Sequence, residues 1–234
     1  MGKRKVPRAA APGAKPQPVR GLWQRFAIDL RTLAVARITF AILLFIDSLM
    51  RLGDARAHYT EQGTYPIEAL KLEWGGSINW MATPFAFDGS LPWAQFLLLL
   101  TAAAAVLLAV GWQSRFAMFL CWAMIVGIHN RNAIILHGGD QMMRIFAFWM
   151  MFLPVGSRWS VDAACAKLRA YGKPVPESTL SIGTAALMIQ GAVVYVTTAA
   201  LKTGKEWWTE GTALWYALQI DQFPTSFGQW VRTL

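Results

Sequence analysis

The sequence predicts an all-α membrane protein, a polytopic helical bundle of about five transmembrane helices with additional interfacial helices. Composition is the first indication, because 55% of the 234 residues are hydrophobic and only 15% are charged. In an average soluble domain, about 25% of the residues are charged. The second indication is the alternation of long apolar segments with short polar ones, as expected when lipid surrounds the chain. We expect a single transmembrane domain over residues 21–234, preceded by a tail over residues 1–20.

The tail differs from the rest of the chain in its charge. The formal net charge is +9, and much of the excess comes from six residues ahead of the first apolar segment. These six residues are Lys3, Arg4, Lys5, Arg8, Lys15 and Arg20. Prolines among alanines predict that the tail is disordered, and its positive charge predicts a cytoplasmic location. Because the charge forms no patch interleaved with aromatic residues, no nucleic-acid partner is expected.

Hydropathy and helical periodicity predict the helices in chain order. Five segments are predicted to span the membrane: 32–52, 91–112, 116–128, 141–156 and 180–201. Four shorter helices are predicted at the interface or in loops: 21–31, 67–74, 161–171 and 211–220. The distribution of lysine and arginine among the loops places the N-terminus in the cytoplasm and the acidic loops outside. We expect a multi-pass protein of a bacterial inner membrane.

The predicted spans differ in polarity. The segment 91–112 contains no charged residue and is the clearest span. The segment 141–156 carries Arg144 near its start, and the segment 180–201 ends directly before Lys202. A charged residue at the end of a span lies near the headgroup region, where its cost is small.

The first predicted span carries charges on one face. Arg37, Asp47, Arg51 and Asp54 project from about one third of the helix circumference. A one-sided charged stripe should face other helices rather than lipid. We predict that Asp47 and Arg51, at positions i and i+4, form a structural polar pair near Asp54.

A dense polar block lies between the third and fourth predicted spans. It runs from His129 through Asn130 and Arg131 to Asp140, and its first three residues are candidates for substrate binding. Asp140 is a candidate acid–base group, although a cap of the following helix is an alternative role. Arg144, one turn later, either pairs with Asp140 or binds an anionic substrate. Because the block lies between two predicted spans, these residues are expected near the membrane surface.

With the N-terminus inside, five chain segments bring polar groups to the outer half of the membrane. A shared outward-facing cavity is the simplest explanation. No metal site is expected, because the three histidines, His58, His129 and His137, show no metal-ligand spacing with each other or with a carboxylate.

Several short motifs occur in a fixed order between about residues 31 and 223. They are Asp47, Arg51 and Asp54 with Tyr59-Thr60, Gly63 and Pro66; His129-Asn130-Arg131-Asn132; Gly138-Gly139-Asp140 with Arg144; Phe152-Leu153-Pro154; Trp159-Ser160-Val161-Asp162; and Tyr195, Lys202 and Trp207 with Gly211-Thr212-Ala213-Leu214. In this order they resemble the HTTM family, the membrane domain of vitamin K-dependent γ-carboxylase and its bacterial relatives. Each motif alone is weak, but the ordered set is specific.

The resemblance implies roles for particular residues. By the spacing from Tyr195 to Trp207, Lys202 resembles the lysine with which the carboxylase deprotonates vitamin K hydroquinone. Asp140 stands where the carboxylase has an assisting histidine. Lys202 and Asp140 are therefore the catalytic candidates, and Tyr195 is a further substrate-binding candidate. The implied co-reactants are a reduced, vitamin K-like quinone and CO2 or bicarbonate. For Lys202, an anchor in the headgroup region is the alternative.

Three functions remain open from the sequence. The first is a membrane enzyme related to γ-carboxylase, with a quinol-like or carboxyl-bearing substrate that reaches an outward-facing site. The second is a non-enzymatic helper for maturation or export of a secreted peptide, which suits a short chain without a large lumenal region. Its partners would be the lipid bilayer and a secreted peptide or another membrane protein. A transporter is the third and least favoured, because the sequence shows no internal repeat.

Overall fold

The computed structural model describes residues 21–74, 83–169, 176–220 and 225–232, and the predicted basic tail lies outside them. Within these ranges the chain forms eleven α-helices. They are α1 (Leu30–Gly53), α2 (Ala55–Tyr59), α3 (Ile67–Trp74), α4 (Leu91–Val110), α5 (Ser114–Arg131), α6 (Gly138–Met150), α7 (Val161–Arg169), α8 (Ile182–Ala200), α9 (Lys205–Trp208), α10 (Ala213–Gln219) and α11 (Ser226–Val231). The remaining elements are two 3-10 helices, Leu22–Phe26 and Pro84–Ala86, and two short strands, β1 (Ile28–Asp29) and β2 (Ser178–Thr179).

The helical membrane fold is confirmed. Among the described residues, α1, α4 and α8 are long and apolar enough to cross a bilayer, with mean hydropathies of 2.0, 2.2 and 1.5. The predicted fourth span differs from its prediction, because α6 has 13 residues. At 1.5 Å per residue it is about 20 Å long, shorter than a hydrocarbon core of about 30 Å. The number of five spans stays a prediction.

The chain forms two compact units, Met1–Ala185 and Ala186–Leu234. The boundary lies within α8, whose buried residues Thr184 and Ala185 belong to the first unit. The single domain expected from the sequence stays a prediction.

The start of α1 is fixed by a strand pair. β1 and β2 are antiparallel, with Ile28 opposite Thr179, and the Leu30 amide donates to the Glu177 carbonyl at 2.8 Å. The Asp29 carboxylate then caps α1 by accepting from the Arg31 amide at 2.7 Å. The predicted amphipathic helix over 21–31 is therefore wrong in its second half, because residues 28–29 pair with a distant segment.

The first unit is built on a series of packed helices. α1 packs on α4, α4 on α5, and α5 on α6. Small buried residues such as Ala34 and Ala41 of α1 and Ala94 and Ala105 of α4 let the helix backbones come close together. The apolar core beside α2 consists of Ala55, Tyr59, Phe85, Ala94, Leu97, Leu98, Met124 and Ile128.

Arg37 joins α1 to the segment that follows α6. Its side chain is fully buried. Nη1 donates to the carbonyls of Val155 at 3.0 Å and Arg158 at 3.4 Å, and Nη2 donates to those of Trp159 at 2.6 Å and Ala109 at 3.4 Å. Because carbonyl oxygens replace the water that burial removes, this charge is tolerated inside the protein.

Asp162 caps the start of α5. Its carboxylate accepts from the Gln113 amide at 2.9 Å and from the Ser114 amide and hydroxyl at 2.7 Å each. Partial burial alone would raise the pKa of Asp162, but these hydrogen bonds and the charge of Arg37 hold it below its ordinary value. The carboxylate is thus stabilised as an anion.

The first prediction concerns Gly111, which ends α4 in the left-handed region at φ 71°. An added Cβ would lie 2.3 Å from the Ser160 Cβ and 2.7 Å from Arg37 Nη1. We expect Gly111→Ala to lower the free energy of unfolding in detergent by about 2–4 kcal/mol, from backbone strain and overpacking. Gly53→Ala is the control, since nothing lies within 4 Å of its added Cβ. Equal losses in both variants would contradict the explanation.

The second prediction is a pH dependence caused by Asp162. Because folding lowers the pKa of this carboxyl, its contribution to stability is present above the ordinary value and is lost as pH falls through the folded value. We expect the melting temperature of the parent protein to fall more steeply below about pH 4 than that of Asp162→Asn. Parallel melting curves for the two proteins from pH 7 to pH 3 would refute this role.

Candidate functional site

Polar side chains from four helices of the first unit meet around one guanidinium group. We call this set the Arg51 cluster, and it consists of Asp47 and Arg51 of α1, Tyr59 of α2, His129 of α5 and Asp140 of α6. It lies fourteen residues along α1 from Arg37, about 21 Å at 1.5 Å per residue.

Arg51 uses three nitrogens to hold the cluster together. Nε donates to Asp47 Oδ2, Nη1 to Tyr59 Oη and Nη2 to Asp140 Oδ1, each at 2.7 Å. The side chains of Arg51 and Asp140 are 12% and 4% exposed, whereas that of Asp47 is 30% exposed. The contact between Arg51 and Asp140 is therefore the buried ion pair that links α1 to α6.

Asp140 is held from a second side by the start of its own helix. Its Oδ2 accepts from the His137 amide at 2.9 Å, and His137 Nδ1 accepts from the Gly139 amide at 3.0 Å. His137 is the N-cap, and Asp140 completes a capping box. The same carboxylate thus stabilises a helix end and binds Arg51, so its position is fixed on both oxygens.

His129 lies beside this carboxylate. Its side chain is 4% exposed, and Nε2 is 3.7 Å from Asp140 Oδ1. The other ring nitrogen, Nδ1, is buried and has no hydrogen-bond partner among the described residues. At 3.7 Å the contact is electrostatic and not a hydrogen bond, so Asp140 places a negative charge beside the imidazole.

Tyr59 is a member of the cluster to which the sequence assigned no role of its own. It is 1% exposed, and its ring lies 5.3 Å from that of Phe85. Burial raises the pKa of the Tyr59 phenol, although the neighbouring Arg51 opposes this, so the phenol keeps its proton at neutral pH. The signals in the sequence were the Tyr59-Thr60 motif of the family resemblance and its position seven residues after the end of the first predicted span.

Arg131 and Asn132 fix the loop that carries Tyr59. Arg131 is fully buried and donates to the carbonyls of Tyr65 at 2.7 Å and Thr60 at 3.2 Å. Asn132 donates to the His58 carbonyl at 3.2 Å. The guanidinium predicted to bind substrate therefore binds backbone, and its contacts position Tyr59.

The other predicted residues of the first unit lie around the cluster. Asn130 and Arg144 are half-buried. The buried ion pair of Asp140 is with Arg51 rather than with Arg144, and no described residue forms an ion pair with Arg144. Asp54 is exposed, and its carbonyl, not its carboxylate, accepts from the Ala57 and His58 amides.

Lys202 and Tyr195 belong to the second unit. Lys202 follows α8, and its Nζ lies 4.3 Å from the centroid of the Trp207 ring, a cation–π contact. Its carbonyl accepts from the Trp208 indole. Tyr195, on α8, is 77% exposed. Within its own unit, the Lys202 ammonium group thus contacts one aromatic ring, that of Trp207, and its backbone carbonyl contacts Trp208.

These features define an integral membrane protein of packed helices with a buried ion-pair network between helix ends. The chain belongs to the HTTM family, since the HTTM domain matches residues 26–232. A curated relative is the uncharacterized protein YitO of Bacillus subtilis (strain 168), 28% identical over 121 residues, which are 50% of this chain. The chain spans 37% of the length of that relative. No solved structure matches the chain.

The third prediction tests whether Arg51 neutralises buried charge. Arg51→Met leaves the Asp140 carboxylate buried without its cation, so we expect the free energy of unfolding to fall by about 3–5 kcal/mol. Asp47→Asn is the matched control, because Asp47 binds the same guanidinium through Nε. Since this ion pair is more exposed, we expect the free energy of unfolding to fall by about 1 kcal/mol or less. Chemical denaturation in detergent measures both. Similar losses of unfolding free energy in the two variants would show that the buried charge of Asp140 does not determine the effect of Arg51→Met.

Proposed function

We propose that this HTTM protein is a membrane enzyme related to vitamin K-dependent γ-carboxylase, in which a proton is removed from an uncharged, membrane-soluble substrate. The observation that carries the proposal is the contact of Asp140 with His129, a carboxylate next to a buried imidazole whose second nitrogen is unoccupied. We place the chain in a bacterial inner membrane with its N-terminus in the cytoplasm.

The proposed co-reactants are a reduced, vitamin K-like quinone and CO2 or bicarbonate. What supports an uncharged ring with hydroxyl groups is that Tyr59 belongs both to the Arg51 cluster and to the apolar core of Phe85, Met124 and Ile128. A reduced quinone supplies electrons and hydroxyl protons. The chain contributes groups that bind and accept those protons.

Two residues are proposed to act in catalysis. Asp140 stabilises positive charge on His129, and Arg51 and the His137 amide keep the carboxylate in place. Lys202, in the second unit, is proposed as the base by its resemblance to the carboxylase lysine. Arg144, one turn after Asp140 on α6, is proposed to neutralise a developing anion, since no described residue forms an ion pair with it.

The fourth prediction tests the proposed base. We expect Lys202→Met to lower turnover at least about 100-fold, the usual contribution of a general base. Turnover is measured in membranes as epoxide formation from a reduced naphthoquinone and as incorporation of labelled CO2. Lys205→Met is the matched control, because Lys205 is an exposed lysine three residues later, and it should keep activity within about twofold. An inactive parent protein, or equal activity of both variants, would refute the enzyme proposal.

A non-enzymatic helper is the second candidate, and a feature of the second unit favours it. Large aromatic side chains there are at least half exposed: Tyr195, Trp207, Trp208, Trp215, Tyr216, Phe227 and Trp230. Aromatic residues are enriched in surfaces that bind other proteins. This function predicts that a secreted peptide or a second membrane protein co-purifies with the chain and that Lys202→Met leaves maturation of the peptide intact.

A further inference from the structure

Two loops of the first unit are joined at the end of α4, away from the Arg51 cluster. The Asp162 amide donates to the Gly111 carbonyl at 3.0 Å, and Arg37 donates to the carbonyls of Ala109 and Trp159. The turn between α4 and α5 is thus bound to the segment between α6 and α7. Because α4 is long and apolar enough to cross a bilayer, its end lies at a membrane surface.

A cavity of about 320 Å³ lies between these loops, within the size range of small-ligand sites, about 300–1,000 Å³. Arg115 forms part of its wall and is exposed, and no described residue forms an ion pair or hydrogen bond with its side chain. Ser157 contributes a hydroxyl group to the wall, and Pro154 and Ala166 contribute apolar surface. The cavity therefore combines hydrogen-bond donors with apolar groups.

The carboxylate in the wall does not make this region acidic. Asp162 accepts three hydrogen bonds, from the amides of Gln113 and Ser114 and from the Ser114 hydroxyl, so its charge is already stabilised by the protein. Within residues 111–116 and 151–168, this one negative charge stands against three positive ones: Arg115, Arg158 and Lys167. The excess of positive charge favours an anionic ligand.

Exposed aromatic rings indicate the depth of the cavity in the membrane. Trp159 adopts a φ of 48°, a left-handed conformation that is rare for a bulky residue, and Arg37 holds its carbonyl at 2.6 Å. Its side chain is 59% exposed, as is that of Phe116, the residue after Arg115. Tryptophan at a membrane surface is typical of the headgroup region. The loops thus present donors and apolar rings together at headgroup depth.

We propose that this cavity binds the phosphate group of an anionic phospholipid, with Arg115 and the Ser157 hydroxyl as donors. Guanidinium groups form charge-assisted hydrogen bonds with phosphate, and basic pockets between membrane helices favour anionic headgroups. The acyl chains contact exposed rings such as those of Phe116 and Trp159. The inference goes beyond the proposed function and is independent of it, because no residue of the Arg51 cluster lines the cavity.

The test uses the purified full chain in detergent, titrated with phosphatidylglycerol, and native mass spectrometry counts the retained lipids. Arg115→Gln should weaken the tightest-bound lipid about tenfold, the effect of one charge-assisted hydrogen bond. Arg31→Gln is the matched control, because Arg31 is an exposed arginine at the start of α1, and it should leave the affinity nearly unchanged. Equal losses in both variants would show general charge attraction only and would overturn the inference.

Ala166→Phe tests the cavity itself without a change of charge. The added ring occupies space that the headgroup requires, so the affinity for phosphatidylglycerol should fall at least as far as in Arg115→Gln. Ala164→Phe is the control, because Ala164 is exposed on the same helix and does not line the cavity. Melting temperatures without lipid confirm that the variants are folded. Binding by Ala166→Phe at the affinity of the parent would show that the headgroup does not occupy the cavity.

Two further ligands distinguish the source of the phosphate. Phosphatidylcholine carries the same phosphate on a headgroup without net charge, so it should bind more weakly than phosphatidylglycerol. Inorganic phosphate at the same concentration should not displace phosphatidylglycerol, because it lacks acyl chains. Displacement by inorganic phosphate, or equal affinity for the two lipids, would refute the assignment to an anionic phospholipid.

Discussion

A guanidinium group in apolar surroundings is stable only when other groups neutralise its charge and accept hydrogen bonds from its N–H donors. This requirement determines how helices of the first unit pack around Arg51. Arg51 meets it with Asp47, Tyr59 and Asp140, groups from three helices. Because the partners come from distant parts of the sequence, pairing of the charge also fixes the relative positions of α1, α2 and α6. Folding of the membrane helices and assembly of the candidate site are thus one event.

The buried arginines of the first unit differ in the kind of partner they bind. Arg37 and Arg131 donate to backbone carbonyls, which cannot gain or lose a proton. Arg51 binds carboxylates and a phenol, which can. The first kind of contact fixes loops, and the second kind joins titratable groups of different helices. The arginines therefore differ in partner chemistry, although all of them look alike in the sequence.

The sequence was sufficient for features that depend on local periodicity. The helix predicted over 67–74 has the bounds of α3, and the long apolar segments became α1, α4 and α8. Features that depend on distant contacts could not be derived. Nothing local shows that residues 28–29 pair with 178–179, or that Asp140 binds a cation of α1 rather than Arg144. The position of His129 beside Asp140 required the packing of α5 on α6.

The strand pair at the start of α1 connects segments about 150 residues apart. It ties the entry of the first membrane helix to the residues that lead into α8, with Asp29 also serving as a helix cap. A shortened version of the protein must therefore keep residues 28–29 and 178–179 to retain this pair. A deletion that reached Leu30 would remove strand β1 and leave β2 without its partner. The segment before α8 would then lose its contacts with the start of α1.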